Sequence, residues 1–216
     1  MAYEFVPGTE YLPVKDKLEK IIFEIKEKLE SKYLFQPILI GSGSKKLITR
    51  KEGSNKGFDF DYNFLLESVR GKHKKAKKIR EDFFKTIQSV SKKHGYKTED
   101  SKTAITIKLV DQKKSRIVHS CDIGMVKHST DENGDKVEEI IVRDKNQELP
   151  TYLWNIRPKS KNYIFKLNKI ENKRDFGKLE IEYLKLKNKN KDEDKKSFQL
   201  FIEAINNLYN QYNQEK

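Results

Sequence analysis

Residues 57–66 read Gly57-Phe58-Asp59-Phe60-Asp61-Tyr62-Asn63-Phe64-Leu65-Leu66. Side chains alternate between the two sides of a strand, so Phe58, Phe60 and Tyr62 fall on one face and Asp59, Asp61 and Asn63 on the other. The aromatic face predicts burial, and the carboxylate face predicts an open surface. Two aspartates at i and i+2 hold their Cβ atoms roughly 7 Å apart, close enough to share a pair of divalent ions ~3.5–4 Å apart. An edge strand also carries carboxylates simply to discourage pairing with other chains, so the meaning of this stretch depends on its surroundings.

On the N-terminal side, Leu18, Ile21, Ile22, Ile25 and Leu29 recur at helical spacing between Pro13 and Ser31, which predicts an amphipathic helix packed on a sheet. The short apolar run Gln36-Pro37-Ile38-Leu39-Ile40 reads as a strand. It stops at Gly41-Ser42-Gly43-Ser44, where small residues permit a tight turn. A loop rich in Lys, Gly and Asn continues to Lys56. On the C-terminal side, Ile79, Phe83, Phe84, Ile87 and Val90 mark a second amphipathic helix ended by His94-Gly95. Strands are expected at Ala104–Val110, Ile117–Val126 and Glu139–Arg143, separated by turns at residues 111–114 and 131–135.

In the strand Ile117–Val126, Asp122 sits mid-strand, where an unpaired charge is normally excluded, and shares its face with Val118, Ser120, Gly124 and Val126. These small neighbours imply room for a substrate. The opposite face, Ile117, His119, Cys121, Ile123 and Met125, is mostly apolar, which assigns His119 and Cys121 to the core rather than to metal ligation or nucleophilic chemistry. Magnesium uses few carboxylates and completes its shell with phosphate oxygens, so Asp59 and Asp61 beside a triphosphate suffice for one ion. A second ion calls for a third carboxylate, and Asp122 is the candidate.

The order of these parts is amphipathic helix, short strand, Gly-Ser, loop, Asp-x-Asp on a strand, and a further Asp on a later strand. From Leu18 to Val126 it resembles the polymerase-β-like nucleotidyltransferase superfamily. The resemblance implies an α/β (α+β) fold with a mixed, mostly antiparallel sheet and helices on one face. It implies that Gly41 and Ser42 contact a nucleoside triphosphate such as ATP, that Asp59 and Asp61 bind two Mg²⁺ ions, and that Asp122 completes the second metal site and serves as general base. The implied reaction is transfer of an NMP to a hydroxyl acceptor with release of pyrophosphate. Two departures stand out: the interval from Ser42 to Asp59 is longer than usual, and Phe58 replaces a small or polar residue. An inserted basic loop, Lys45 to Lys56, accounts for the length. Two other classes stay open at this point, a catalytically inactive nucleotide- or RNA-binding module and an unrelated basic RNA-binding protein.

With 216 residues, the chain is long enough for a core at residues 1–150 and a short helical lobe at residues 151–216, where periodicity turns helical over Phe176–Leu186 and from Phe198 to Leu208. Lys159, Lys161 and Lys166 are the pool of cations in that lobe for a triphosphate. A formal charge of +13 favours anionic partners, although lysine-rich, Asn-rich composition also produces basic solvated faces. The densest run, Arg70 to Arg80, precedes or enters the second helix, where positive charge opposes the helix dipole, so either function or compositional drift accounts for it, and phosphates of RNA or DNA are suitable ligands. The single Cys121 excludes an intramolecular disulfide and fits a reducing, cytoplasmic setting. The N-terminal segment has no signal-peptide pattern, and no stretch approaches the ~20 apolar residues of a membrane span.

Overall fold

The alternating stretch around Asp59 becomes the strand on which the rest is assembled. The structure is a computed structural model. It describes residues 2–69, 75–144, 150–157, 163–192 and 195–214. The elements in order are β1 (Tyr3–Phe5), α1 (Gly8–Leu29), β2 (Tyr33–Ile40), α2 (Gly41–Ser44), β3 (Thr49–Lys51), β4 (Phe58–Val69), α3 (Ala76–Lys93), β5 (Lys97–Asp100), β6 (Ile105–Asp111), β7 (Arg116–Thr130), β8 (Lys136–Asp144), β9 (Thr151–Ile156), α4 (Tyr163–Asn172), α5 (Phe176–Lys189) and α6 (Ser197–Gln214). They divide into two compact units, residues 6–48 with 55–158, and residues 1–5 with 49–54 and 159–216.

The larger unit is built on a seven-stranded sheet in the order β2-β4-β7-β6-β5, with β8 added to β7 and β9 to β8. All neighbours are antiparallel except β4 and β7, which run parallel, so the sheet is mixed and mostly antiparallel as expected. A parallel pair needs a crossover, and here α3 and the β5–β6 hairpin supply it. Phe58, Phe60, Tyr62 and Phe64 of β4 and Cys121, Ile123 and Met125 of β7 are buried in one cluster with Leu18, Ile21 and Ile25 of α1 and Ile79, Phe83 and Ile87 of α3. Phe83 alone meets three strand aromatics, Tyr33, Phe35 and Phe64, at ring-centroid distances of 5.0, 5.1 and 6.0 Å. Aromatic pairs at such separations add to the energy of area burial and fix how the helix sits on the sheet.

Several boundaries differ from the expectation. α1 starts at Gly8 and takes Pro13 inside it, because the carbonyl of Pro7 accepts from the N–H groups of Glu10 and Tyr11 at 2.9 and 3.1 Å and opens the helix earlier. Residues 151–156, expected in the helical lobe, instead form β9, which pairs with β8 along its whole length. The smaller unit contains the two-stranded β1–β3 sheet and helices α4–α6, whose buried face includes Leu167, Ile170, Leu179, Tyr183, Leu200, Phe201 and Ile205. No helix among the described residues is long and apolar enough to cross a membrane.

Candidate active site

Sheet register brings the site together. Asp61 of β4 is paired with Asp122 of the parallel neighbour β7, Asp122 is paired with Thr106 of β6, and Ile40, the last residue of β2, is paired with Asp61. The row Ile40, Asp61, Asp122, Thr106 therefore runs across four strands on the face opposite the aromatic core, and Asp59 lies two residues earlier on β4 opposite Ser120. Asp59 is exposed, while Asp61 and Asp122 are partly buried.

Because β2 ends in this row, the turn that follows it falls against the carboxylates. Gly41 has φ +63°, a left-handed conformation that favours glycine, and a Cβ there would lie 2.8 Å from Asp61 Oδ2. The turn is closed by the Ser42 carbonyl, which accepts from the N–H of Leu47 at 2.9 Å, and by Ser44 Oγ, which donates to the Gly41 carbonyl at 2.9 Å. The approach to the site is equally tight at its other end. A Cβ on Gly57 would lie 1.8 Å from the Val118 carbonyl oxygen, so β4 enters alongside β7 only because residue 57 has no side chain.

Electrostatics couples the three acids. Burial pushes the Asp61 carboxyl up to about 7, the charges of Asp59 and then Asp122 add to the rise, and the Arg157 guanidinium opposes it. Even so, no three His, Cys, Asp or Glu side chains among the described residues converge closely enough to form a metal cage by themselves. The two observations are compatible for a hard ion such as Mg²⁺, which keeps waters and binds through one or two carboxylates together with substrate phosphates. The donor set of carboxylate oxygens on one open face fits such an ion, with the remainder of its shell coming from a triphosphate.

On the opposite face, His119 is 3% exposed and Cys121 fully buried. Burial and then the charge of Lys17 lower the His119 imidazole to about 4, and burial raises the Cys121 thiol well above its usual value, so both belong to the core. One expectation is corrected. The room anticipated beside Asp122 does not extend to Gly124, because a Cβ there would already meet Ile140 Cδ1 at 3.3 Å and Asn63 Oδ1 at 3.4 Å. Of the expected cations, Lys159 and Lys161 lie outside the described residues, and Lys166 donates to Asn206 Oδ1 at 2.7 Å. In the basic run, residues 70–74 also lie outside. Lys78 donates to Asp82 Oδ1 at 2.6 Å in an i,i+4 pair, giving this lysine a local role on its helix.

No protein-family model matches the chain, and no curated protein does. Solved structures do. Vibrio cholerae DncV in its GTP-bound form superposes with a TM-score of 0.53 at 12% identity, covering 88% of this chain and 50% of DncV. Escherichia coli DncV bound to 3′-deoxy GTP gives 0.53 at 13% identity over 88% of this chain and 51% of that one. V. cholerae DncV cyclic AMP-GMP synthase with the linear intermediate 5′ pppA(3′,5′)pG gives 0.50 at 12% identity, with 88% and 52% covered. The chain shares the fold of these proteins. It spans about half the length of these proteins.

Within the larger sheet, two residues near the acids escape a reading of the sequence. Thr106 Oγ1 donates to Asp122 Oδ1 at 2.5 Å. Arg157, just after β9, donates to Glu138 Oε1 at 2.8 Å while its charge acts on Asp61. The alternation of Ile105 and Ile107 around Thr106 places the threonine on the polar face, but only the pairing of β6 with β7 shows that the face is shared with Asp122. Arg157 carries no such local signal.

Proposed function

We propose that this chain catalyses metal-dependent transfer of a nucleoside monophosphate from an NTP to a hydroxyl acceptor, with release of pyrophosphate. The observation that carries the reading is the side-by-side register of Asp61 and Asp122, with the Gly41 turn close against Asp61 Oδ2. Asp59 and Asp61 would hold the ions, Asp122 would complete the second site, and Gly41 and Ser42 would meet the triphosphate. When bound, Mg²⁺ neutralises charge on the transferring phosphoryl group and lowers the pKa of the attacking hydroxyl. Asp122 then accepts the acceptor's proton at Oδ2, its Oδ1 being engaged by Thr106. Burial of Asp61 beside two other acids disfavours a third negative charge there, and a divalent cation would relieve that cost.

For the acceptor, the structural neighbours favour a second nucleotide over RNA, since they were solved with GTP, 3′-deoxy GTP and a 3′,5′-linked dinucleotide. A single buried thiol supports a reducing, cytoplasmic setting. The test is incubation with each α-labelled NTP and Mg²⁺, with and without RNA, followed by separation of products, with Asp59→Asn as control. Labelled dinucleotide products without RNA are the expected result. Labelled RNA would replace the nucleotide acceptor with a polymer, and the absence of transfer from any NTP would defeat the proposal.

A further inference from the structure

The hydroxyl on Asp122 belongs to a longer arrangement. A threonine hydroxyl has one proton, and Thr106 spends it on Asp122 Oδ1 at 2.5 Å. Ser101 Oγ lies 3.2 Å from Thr106 Oγ1, so in that contact Ser101 must be the donor. Thr106 is 6% exposed, which leaves little access for water to stand in for either partner.

Ser101 is itself fixed. It begins the turn between β5 and β6, and its N–H donates to the Ala104 carbonyl at 2.9 Å. Arg80 of α3, 1% exposed, reaches this turn from beneath: Nη2 donates to the carbonyls of Ser101 and Ala104 at 3.2 and 2.6 Å. Its Nε and Nη2 donate to Asp100 Oδ1 at 2.9 and 2.6 Å, and Tyr152 donates to Asp100 Oδ2 at 2.6 Å. A buried guanidinium needs pairing and hydrogen bonds, and this one commits Nε and Nη2 to Asp100 and the turn that carries Ser101, while Nη1 has no partner among the described residues.

We propose that Ser101 and Thr106 form a two-hydroxyl relay that positions Asp122 for nucleotidyl transfer by holding Oδ1, so that Oδ2 would serve an ion and the acceptor hydroxyl, with Arg80 anchoring the turn. The inference rests on the nucleotidyltransfer reading above. Ser101 and Thr106 act through Asp122 and are positioning residues. Outer partners of ligating carboxylates orient them, and losing such a partner typically costs about 10–100-fold in metal affinity or activity.

The test compares wild type with Thr106→Val, Thr106→Ser and Ser101→Ala in two assays. One is steady-state transfer, and the other is Mn²⁺ binding followed by electron paramagnetic resonance in the presence of a non-hydrolysable triphosphate. Thr106→Val should lower kcat by about 10–100-fold and weaken Mn²⁺ binding, with a smaller change in KM for the NTP, because Thr106 is engaged with Asp122 and Ser101 rather than with the Gly41–Ser42 turn. Thr106→Ser, which keeps the hydroxyl and drops the methyl, should recover kcat to within about threefold of wild type. Ser101→Ala should fall between the two. Wild-type kcat and Mn²⁺ affinity in Thr106→Val would overturn the relay. So would a Thr106→Ser variant as impaired as Thr106→Val, since the threonine would then matter for packing. Should Thr106→Val fail to fold, wild-type kcat and Mn²⁺ affinity in Ser101→Ala would overturn it equally. If wild type transfers nothing from any NTP, the functional reading fails, while the Mn²⁺ comparison still decides whether the hydroxyls orient Asp122.

Discussion

Acidification should weaken the fold through His119. The imidazole lies on the core face of β7, 3% exposed, with Tyr96 Oη 2.7 Å from Nε2 and no partner on Nδ1 among the described residues. Burial, with the charge of Lys17 adding to it, lowers its pKa from 6.5 to about 4. Between these values the unfolded chain binds a proton that the folded chain does not. The stability conferred by a neutral His119 is thus complete above pH 6.5 and lost as pH falls towards 4. The shift corresponds to about 3 kcal/mol at most, or roughly 6–12 °C in Tm for a chain of this size. Carboxylates elsewhere also lose their pairing in acid, so the informative quantity is a difference. His119→Gln keeps a hydrogen-bonding group for Tyr96 but cannot titrate. Urea unfolding of both proteins with chelator present, at about pH 7 and about pH 4, should show the wild type losing about 3 kcal/mol more than the variant. Parallel losses would mean that His119 charges within the folded protein, and the assignment of this β7 face to a dry core would be wrong.

Asp59→Asn and Asp61→Asn should each reduce transfer by about 10³-fold, the worth of several kcal/mol of metal-borne charge stabilisation, while Tm measured with chelator stays level or rises. Wild-type turnover in either variant would refute the assignment. Triphosphate with Mg²⁺ at about 100 times its Kd should stabilise wild type by about 2.7 kcal/mol in thermal unfolding, and chelation should remove the effect. Ser42→Ala should shrink that shift, and an undiminished one would move the phosphate contact elsewhere. Gly57→Ala should cost more than about 4 kcal/mol by chemical denaturation, because a Cβ 1.8 Å from a backbone oxygen cannot be relieved by a side-chain rotation. A loss of about 1 kcal/mol or less would show that β4 can shift away from β7.

The face that carries the acids was legible in the sequence because a strand's period of two writes its faces into the residue order, as Phe58, Asp59, Phe60 and Asp61 do. The same logic separated Asp122 from His119 and Cys121. What the sequence withheld was everything that depends on which strands are neighbours. Thr106 matters only through its pairing with Asp122, and Arg157 only through where β9 ends. Short elements were also unreadable: β1 and β3 have three residues each, too few to display a period. The strand β9, Thr151–Ile156, was hidden by its mixed composition after Pro150, with Leu153 and Ile156 more than half exposed at 59% and 56%.

The parallel pairing of β4 with β7 has a consequence for how the candidate site comes to be assembled. Antiparallel neighbours such as β5 and β6 can find each other locally, whereas Asp61 meets Asp122 only after α3 and a hairpin have been laid across the gap. Contacts between segments so distant in sequence form late and slowly. The carboxylates thus become neighbours in the same event that seals Phe60 against Cys121 on the other side of the sheet. A nascent or nicked chain that lacks β7 holds two of the three acids but no complete site. Competence to act should therefore appear together with the closed core during synthesis or refolding, and a partly made chain should be chemically silent.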